Sequence, residues 1–354
     1  MNRQELFQTI FPDAPSYRWR QVEQGLFAGK WNNWDEATVL PAAMRAKVGE
    51  QIPWTAYRDA QVFESASHDT FKALLKLDDG RAVETVLMAN ARSGWTVCVS
   101  TQVGCAMACI FCATGHMGFR RNLTRDEITD QYRFWQDYLK ERRGLGRITN
   151  MVLMGMGEPL ANMDEVQAAL HTWLTSTPLG PTRITVSTVG LLTPLEHILK
   201  DPGWPRVRMA VSLHSAVRGT HARLVPTGPE NFLPKIQDWA RRYVRRHGNR
   251  RHHLTFEYVM LKGINDSLEE AEALARFTLP IGRVRINLIP YNAIPREAIE
   301  SSLPAQIRNF ADHLKERGLQ VTLRKTMGDD IQAACGQLVT GVLKPLDKSE
   351  SRAL

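Results

Sequence analysis

The sequence predicts an α/β fold, a partial barrel of six strand–helix units preceded by a small helical module and a β-hairpin. From Trp95 onward, short apolar segments alternate with longer amphipathic segments, which is typical of a parallel sheet covered by helices. The first sixty or so residues show only helical spacing of apolar positions. Between these parts, Asp78-Asp79-Gly80 separates two runs of alternating apolar residues, a pattern that predicts a hairpin.

The first segment carries apolar residues at helical spacing, among them Val22, Leu26 and Phe27. Basic residues beside aromatics, such as Arg18 and Arg20, suit either contact with nucleic acid or a solvated helix face. The sequence therefore divides into four parts: a helical accessory domain at 1–62, a β-hairpin extension at 63–90, the barrel core at 91–345 and a polar tail at 346–354.

The core contains seven short apolar segments that predict strands, with helical segments between them. Thr124 and Glu127 form a capping box that predicts the start of a helix, and Ser267 marks another start. The predicted strands are 96–100, 148–154, 183–187, 208–213, 255–260, 285–289 and 321–324, and further helices are predicted at 163–174, 194–199, 235–246 and 306–317.

Polar and glycine-rich groups follow most of the predicted strands. Because the carboxyl ends of parallel strands meet at one edge, these groups predict a ligand site there. The alternative interpretation is that these groups are ordinary turns scattered over the molecule. In chain order they are a cysteine loop, then 155–159, 187–190, 212–215 and 290–292.

The composition limits the environment and the partners. Five cysteines are an odd number, which argues against a secreted disulfide framework. No apolar signal core or membrane-length run is present, so we expect a reduced, cytoplasmic protein without a membrane partner. Lys and Arg outnumber Asp and Glu by 45 to 37, a net charge of +8 that suits a polyanionic partner or simply a basic enzyme.

Cys105, Cys109 and Cys112 make a C-x3-C-x2-C motif in a single short loop. Three thiolates can hold an iron–sulfur cluster and leave one iron open for a substrate. With His116 they could instead form a closed Cys3His zinc site. Three buried, inert thiols are a third interpretation, and spacing alone leaves all three open.

This motif after the first strand, with Gly157-Glu158-Pro159 after the second, resembles the radical S-adenosylmethionine (SAM) superfamily. Over nearly the whole chain the sequence is similar to the RlmN/Cfr family of RNA adenosine methyltransferases. The segments that carry this second resemblance are 98–105, 119–123, 154–160, 212–214 and 328–338.

The resemblance implies a role for all five cysteines. Cys105, Cys109 and Cys112 would bind a [4Fe–4S] cluster, Cys335 would carry the methyl group as S-methylcysteine, and Cys98 would resolve it through a disulfide. Glu84 would accept the proton from the base. The implied SAM-binding residues are Gly157, Glu158, Ser187, Ser212, Leu213, His214 and Asn292.

The same resemblance implies the substrate and the partners. The enzyme would methylate carbon 2 of an adenosine in 23S rRNA near the peptidyl transferase centre, and the adenosine next to the anticodon in tRNAs. It would use two SAM molecules, a low-potential electron donor of the flavodoxin or ferredoxin type and a disulfide reductant, and would act as a monomer. From charge alone, the accessory domain and the basic segments at 241–247 and 250–253 suit contact with the RNA backbone, and solvated helix faces are the alternative interpretation.

Two alternatives stay open on the sequence. Cfr-type methylation of carbon 8 of the same rRNA adenosine would confer antibiotic resistance. Gly157-Glu158-Pro159 and Ile289-Pro290 favour carbon 2, whereas Ala113-Thr114-Gly115 and the segment 91–95 resemble the carbon-8 enzymes. The other alternative is a non-catalytic, zinc-stabilised RNA-binding protein.

Overall fold

The computed structural model describes residues 2–91, 94–142, 144–249, 252–294 and 298–339, so the predicted polar tail at 346–354 lies outside the described residues. The strands are β1 Asp59–Glu64, β2 Thr70–Lys76, β3 Ala82–Asn90, β4 Gly94–Cys98, β5 Gln102–Val103, β6 Arg121–Asn122, β7 Ile148–Leu153, β8 Ile184–Thr188, β9 Arg208–Ser212, β10 Leu254–Met260, β11 Val284–Pro290 and β12 Gln320–Leu323. The helices are α1 Arg3–Ile10, α2 Ser16–Phe27, α3 Ala42–Gln51, α4 Ala113–His116, α5 Arg125–Glu141, α6 Met163–Ser176, α7 Leu192–Lys200, α8 Arg218–Leu224, α9 Phe232–His247, α10 Leu268–Thr278 and α11 Pro304–Glu316.

One ten-stranded sheet dominates the described part of the chain, in the order β1-β2-β3-β4-β7-β8-β9-β10-β11-β12. The strands from β4 onward in this order pair in parallel, and helices connect each to the next. The predicted α/β partial barrel is therefore confirmed, and each of the seven predicted core strands overlaps an observed one. No helix in the described ranges is long and apolar enough to cross a membrane.

The hairpin extension is continuous with the barrel sheet. β2 and β3 pair antiparallel on either side of the predicted turn, and β3 pairs antiparallel with β4 so that Val86 lies opposite Cys98. An additional strand, β1, pairs with β2 and spans the boundary that the sequence places at residue 62. The extension therefore carries Glu84 next to the first barrel strand.

Helix α5 begins as the sequence predicts. The Thr124 side chain accepts a hydrogen bond from the Glu127 amide, and the Glu127 carboxylate accepts one from the Thr124 amide. This capping box satisfies two backbone donors at the helix start. Ser267 caps α10 in the same way through the Glu270 amide.

Asp130 on α5 fastens the N-terminal helices to the core. Its carboxylate accepts hydrogen bonds from the Arg3 guanidinium at 2.6 and 3.0 Å, from Arg133 at 2.9 Å and from the Ala56 amide at 2.8 Å. Burial alone would raise the pKa of Asp130, but Arg133 and Arg3 hold it below its usual value. Asp130 is thus a buried anion that depends on its partners.

We expect Asp130→Ala to lower the free energy of unfolding by about 3–5 kcal/mol, because it leaves Arg3 and Arg133 buried without their carboxylate. Denaturant unfolding followed by circular dichroism measures the loss. Asp238→Ala is the matched control, since Asp238 makes an exposed helix-surface pair with Arg242 and should cost less than about 1 kcal/mol. Equal losses in the two variants would contradict the assignment.

Candidate active site at the carboxyl edge of the sheet

An open cavity of about 900 Å³, counting its solvent-filled mouth, lies at the carboxyl edge of the parallel strands. The predicted site residues that line it are Cys105, Cys109, Cys112, Gly157, Glu158, Ser187, Ser212, His214, Asn292 and Cys335.

The cysteine loop connects two short strands, β5 and β6, that pair with each other. β5 pairs antiparallel with β6, so the loop begins and ends at the same place. Gly104 has a φ of +73°, and a side chain there would lie 1.9 Å from the Gly118 carbonyl oxygen. Only glycine fits this close approach. The Cys112 amide then bonds to the Cys109 carbonyl at 3.1 Å, which tightens the loop before α4 begins.

The three loop cysteines share a raised thiol pKa, which suits them to bind iron. Burial raises the pKa of Cys105 to about 12 and raises the pKa values of Cys109 and Cys112 as well. The Cys112 thiolate raises the pKa of both other thiols. Such thiols ionise only when a nearby cation compensates the negative charge, as iron does when it binds a cysteine. Within the described ranges, no three His, Cys, Asp or Glu side chains are grouped so that they could hold a single metal ion, and the His116 ring contacts the Ile110 carbonyl oxygen at 3.1 Å.

The second strand end supplies a fixed carboxylate. Glu158 is buried, and its two oxygens accept hydrogen bonds from the Leu160 amide at 2.9 Å and the Val189 amide at 2.8 Å. Burial raises its pKa, and these amides oppose that rise. The Glu158 amide donates to the Gln102 side chain at 2.8 Å, so the cysteine loop and this turn are connected directly.

The fourth strand end presents a neutral histidine. Burial lowers the pKa of His214 to about 3, and its Nδ1 accepts a hydrogen bond from the Val259 amide at 3.1 Å. Its backbone has a φ of +57°, which is uncommon for a residue with a side chain. Asn265, which the sequence did not indicate, holds this conformation by donating to the His214 carbonyl at 2.7 Å and the Val259 carbonyl at 2.8 Å.

Leu213, a member of the predicted SAM-binding set, places its side chain outside the cavity, and its role in SAM binding stays a prediction. Ser212 and His214 line the cavity, whereas the Leu213 side chain is fully buried in the hydrophobic core. Its amide donates to the Glu257 carbonyl at 3.0 Å. The physical reason is that successive side chains at a strand end point to opposite sides.

Residues 328–339, here called the Cys335 loop, close one side of the cavity. The Asn292 side-chain Nδ2 donates to the Cys335 carbonyl at 3.1 Å, and the Gly336 carbonyl accepts from the Ala113 backbone amide at 2.7 Å. Cys335 is exposed and lines the cavity. The loop therefore places a thiol next to the three-cysteine loop.

Cys98 ends β4 behind this cavity and does not line it. Burial raises the pKa of Cys98 to about 12, and a negative charge on Cys335 adds to that rise. Both cysteines are free thiols. Arg324, at the end of β12, lowers the pKa of each of them.

Glu84 also lies outside the cavity lining. Its carboxylate pairs with Lys72 at 3.0 Å and accepts a hydrogen bond from the Val339 amide at 2.8 Å. Burial raises the pKa of Glu84, and Lys72 opposes the rise. The proposed proton acceptor is thus in contact with the end of the Cys335 loop.

Glu257 on β10 is a cavity residue that the sequence did not indicate. It is buried, accepts a hydrogen bond from Asn287 at 2.9 Å, and raises the pKa of Cys335. Burial raises the pKa of Glu257 itself, with Arg324 opposing. An acidic residue inside an otherwise apolar strand is the signal that could have identified it.

The fold and site define the class of the protein, and comparisons agree. Residues 99–278 match the radical SAM superfamily. The chain is a radical SAM enzyme, whose cofactors are a [4Fe–4S] cluster and SAM.

More specific relatives match almost the full length. A probable dual-specificity RNA methyltransferase RlmN of Chlorobium phaeobacteroides is 36% identical, covering 99% of this chain and 96% of the relative. The dual-specificity RNA methyltransferase RlmN of Halorhodospira halophila is 38% identical, covering 91% and 87%. The crystal structure of a radical SAM methyltransferase from Sphaerobacter thermophilus superimposes with a TM-score of 0.87 at 36% identity, covering 96% and 97%. The chain belongs to the RlmN family of RNA methyltransferases, which replaces the interpretation as a zinc-stabilised binding protein.

We expect Gly157→Ala to weaken SAM binding about tenfold or more. Gly157 has a φ of +97°, and an added side chain would lie 2.5 Å from Cβ of Gln102, the partner of the Glu158 amide. Equilibrium binding of SAM to the anaerobically reconstituted enzyme measures the change. Gly80→Ala is the control, because Gly80 has a φ of +80° but no atom within 4 Å. Equal SAM affinity in both variants would contradict the role of Gly157.

Proposed function

We propose that this enzyme methylates carbon 2 of an adenosine in 23S rRNA, near the peptidyl transferase centre, and of the adenosine next to the anticodon in tRNAs. The relatives' name, dual-specificity RNA methyltransferase, supports two RNA substrates. One structural observation carries the chemistry: Cys335 lines the same cavity as the three-cysteine loop, and a further free thiol, Cys98, ends the first barrel strand. A methyltransferase that transfers the methyl group by simple displacement does not need these two additional thiols.

The chain's own residues account for the proposed sequence of steps. The loop cysteines hold the cluster, and the strand ends around Glu158 and Ser212 hold SAM. When bound, these cofactors supply the methyl group and the hydrogen-abstracting radical. Cys335 loses its proton, and its thiolate takes the methyl group as a new S–C bond forms and the methyl–sulfonium bond of SAM breaks, which leaves S-adenosylhomocysteine. After the methyl carbon is joined to the base, Glu84 accepts the ring proton.

Release of the product then requires Cys98. Its thiolate attacks the Cys335 sulfur, so that an S–S bond forms and the S–C bond to the base breaks. The released methylene carbon takes up a proton to become the methyl group, and the one electron left over from the radical addition would pass back to the cluster. A two-electron dithiol reductant would restore both thiols. Arg324 is the positive charge that favours ionisation of either thiol at this position.

Exposed basic residues near the cavity and on α9 support an RNA partner. Arg120, Arg241, Arg245 and Arg246 are exposed, whereas Arg242 pairs with Glu196 and Asp238, and Arg121 pairs with Asp79 and Glu127. The predicted contacts at Arg250 and Arg251 lie outside the described residues. The target base would leave its stack to reach the cavity.

Carbon 8 of the same base is the second candidate, favoured by the resemblance of Ala113-Thr114-Gly115 to Cfr-like chains. In the structure, Ala113 and Thr114 contact the Cys335 loop through the Gly336 and Leu338 carbonyls, both at 2.7 Å. Loop docking accounts for the Thr114 hydroxyl whichever carbon is methylated, whereas Ala113 contributes only its backbone amide. The proline of Gly157-Glu158-Pro159 therefore remains the better guide, and it favours carbon 2.

Further partners belong to the same proposal. The cluster needs an electron from a low-potential donor of the flavodoxin or ferredoxin type, and the Cys98–Cys335 disulfide needs a reductant. We propose a monomer that works in the cytoplasm, where both reductants and ribosomal RNA precursors are present.

Mass spectrometry of nucleosides from 23S rRNA and tRNA tests the function directly. RNA from cells with the gene should contain 2-methyladenosine, and RNA from cells without it should lose that nucleoside. Cells with a Cys335→Ala protein should match the deletion. The appearance of 8-methyladenosine instead would establish the carbon-8 alternative, and unchanged nucleosides in all three cells would contradict the proposal.

A further inference from the structure

The Cys335 loop is held by the N-terminal strands as well as by the barrel. The Ala66 amide donates to the Asp330 carboxylate at 2.7 Å, and Lys72 Nζ donates to the Gln332 carbonyl at 3.3 Å. The Val339 amide donates to Glu84 at 2.8 Å. Three contacts along the loop therefore reach the β1–β3 extension.

Lys72 connects the extension to the Cys335 loop through two partners, Glu84 and Gln332. It is only 2% exposed, and its ammonium lies 3.0 Å from Glu84 Oε1 while it also contacts Gln332. A lysine almost never occupies such a position unless it is paired. Gln332 has a φ of +51°, an uncommon backbone conformation that a fixed hydrogen bond helps to hold.

We propose that Lys72 is a positioning residue that, with Glu84, latches the Cys335 loop over the cavity. The inference rests on the proposed function, in which Cys335 carries the methyl group. Lys72 itself touches neither the cavity nor Cys335. It acts by fixing one carbonyl of the loop and by orienting the carboxylate that binds the end of the loop.

The latch also links the loop to the proton acceptor. While the loop is docked, Glu84 Oε1 is engaged by Lys72 and Oε2 by the Val339 amide. Loss of the Val339 contact frees one carboxylate oxygen. The position of the loop therefore controls how much of Glu84 is available to accept a proton.

Hydrogen–deuterium exchange of the full-length, anaerobically reconstituted enzyme tests the latch. We expect Lys72→Met to speed exchange in peptides from 328–339 about tenfold, with α5 peptides unchanged. After incubation with SAM, the fraction of Cys335 found methylated by peptide mass spectrometry should fall several-fold at equal iron content. Lys76→Met is the matched control, because Lys76 lies on the same strand but pairs with Asp59 on the surface, and it should change neither measurement.

Glu84→Gln is the second variant, for the case that Lys72→Met does not fold. It keeps an oxygen for the Val339 amide but removes the charge that pairs with Lys72, so a smaller increase in loop exchange is expected. Unchanged loop exchange in whichever variants fold, or an equal increase in Lys76→Met, would overturn the latch. Absence of methyl on Cys335 in the unmodified enzyme would instead contradict the proposed function, and the exchange result would still decide the latch.

Discussion

The docking of the Cys335 loop is the constraint on which the site depends. Barrel strands alone assemble three thiols, a carboxylate and a neutral histidine around a cavity, but they supply no nucleophile to carry a methyl group. The loop adds Cys335, the thiol proposed to carry the methyl group, and it is held on one side by Ala113 and Thr114 and on the other by the Lys72–Glu84 pair. The first two residues directly follow the cysteine loop, so cluster binding and loop position share the same short segment.

Burial decides the chemistry of these groups before any ligand binds. The thiols of Cys98 and Cys105 each have a pKa near 12, so they are neutral until a positive charge or a base compensates. For the loop cysteines that charge is iron. For Cys98 and Cys335 the available positive charge is Arg324, which opposes the rise in pKa that burial causes and so favours ionisation of either thiol.

Much of this could be predicted from the sequence, because strands and their carboxyl ends follow from local patterns. The seven core strands and the α5 capping box depend on neighbouring residues only. Strand β1 was missed since its half-buried residues lack a clear alternation. Leu213 belongs to the predicted SAM-binding set through the family resemblance, and strand alternation turns its side chain into the core. Contacts between distant segments, such as Asn265 with His214 or Lys72 with Gln332, leave no local signal and need the fold.

The most direct test of the central claim, that Cys98 and Cys335 act as one pair, is a denaturing gel of Cys98→Ala protein from cells, with and without ribonuclease. With no thiol to attack the Cys335 sulfur, the protein should stay covalently joined to RNA. The account predicts a shifted band that collapses after ribonuclease treatment and is absent in Cys98→Ala/Cys335→Ala protein. Free Cys98→Ala protein together with normal levels of methyladenosine would contradict it.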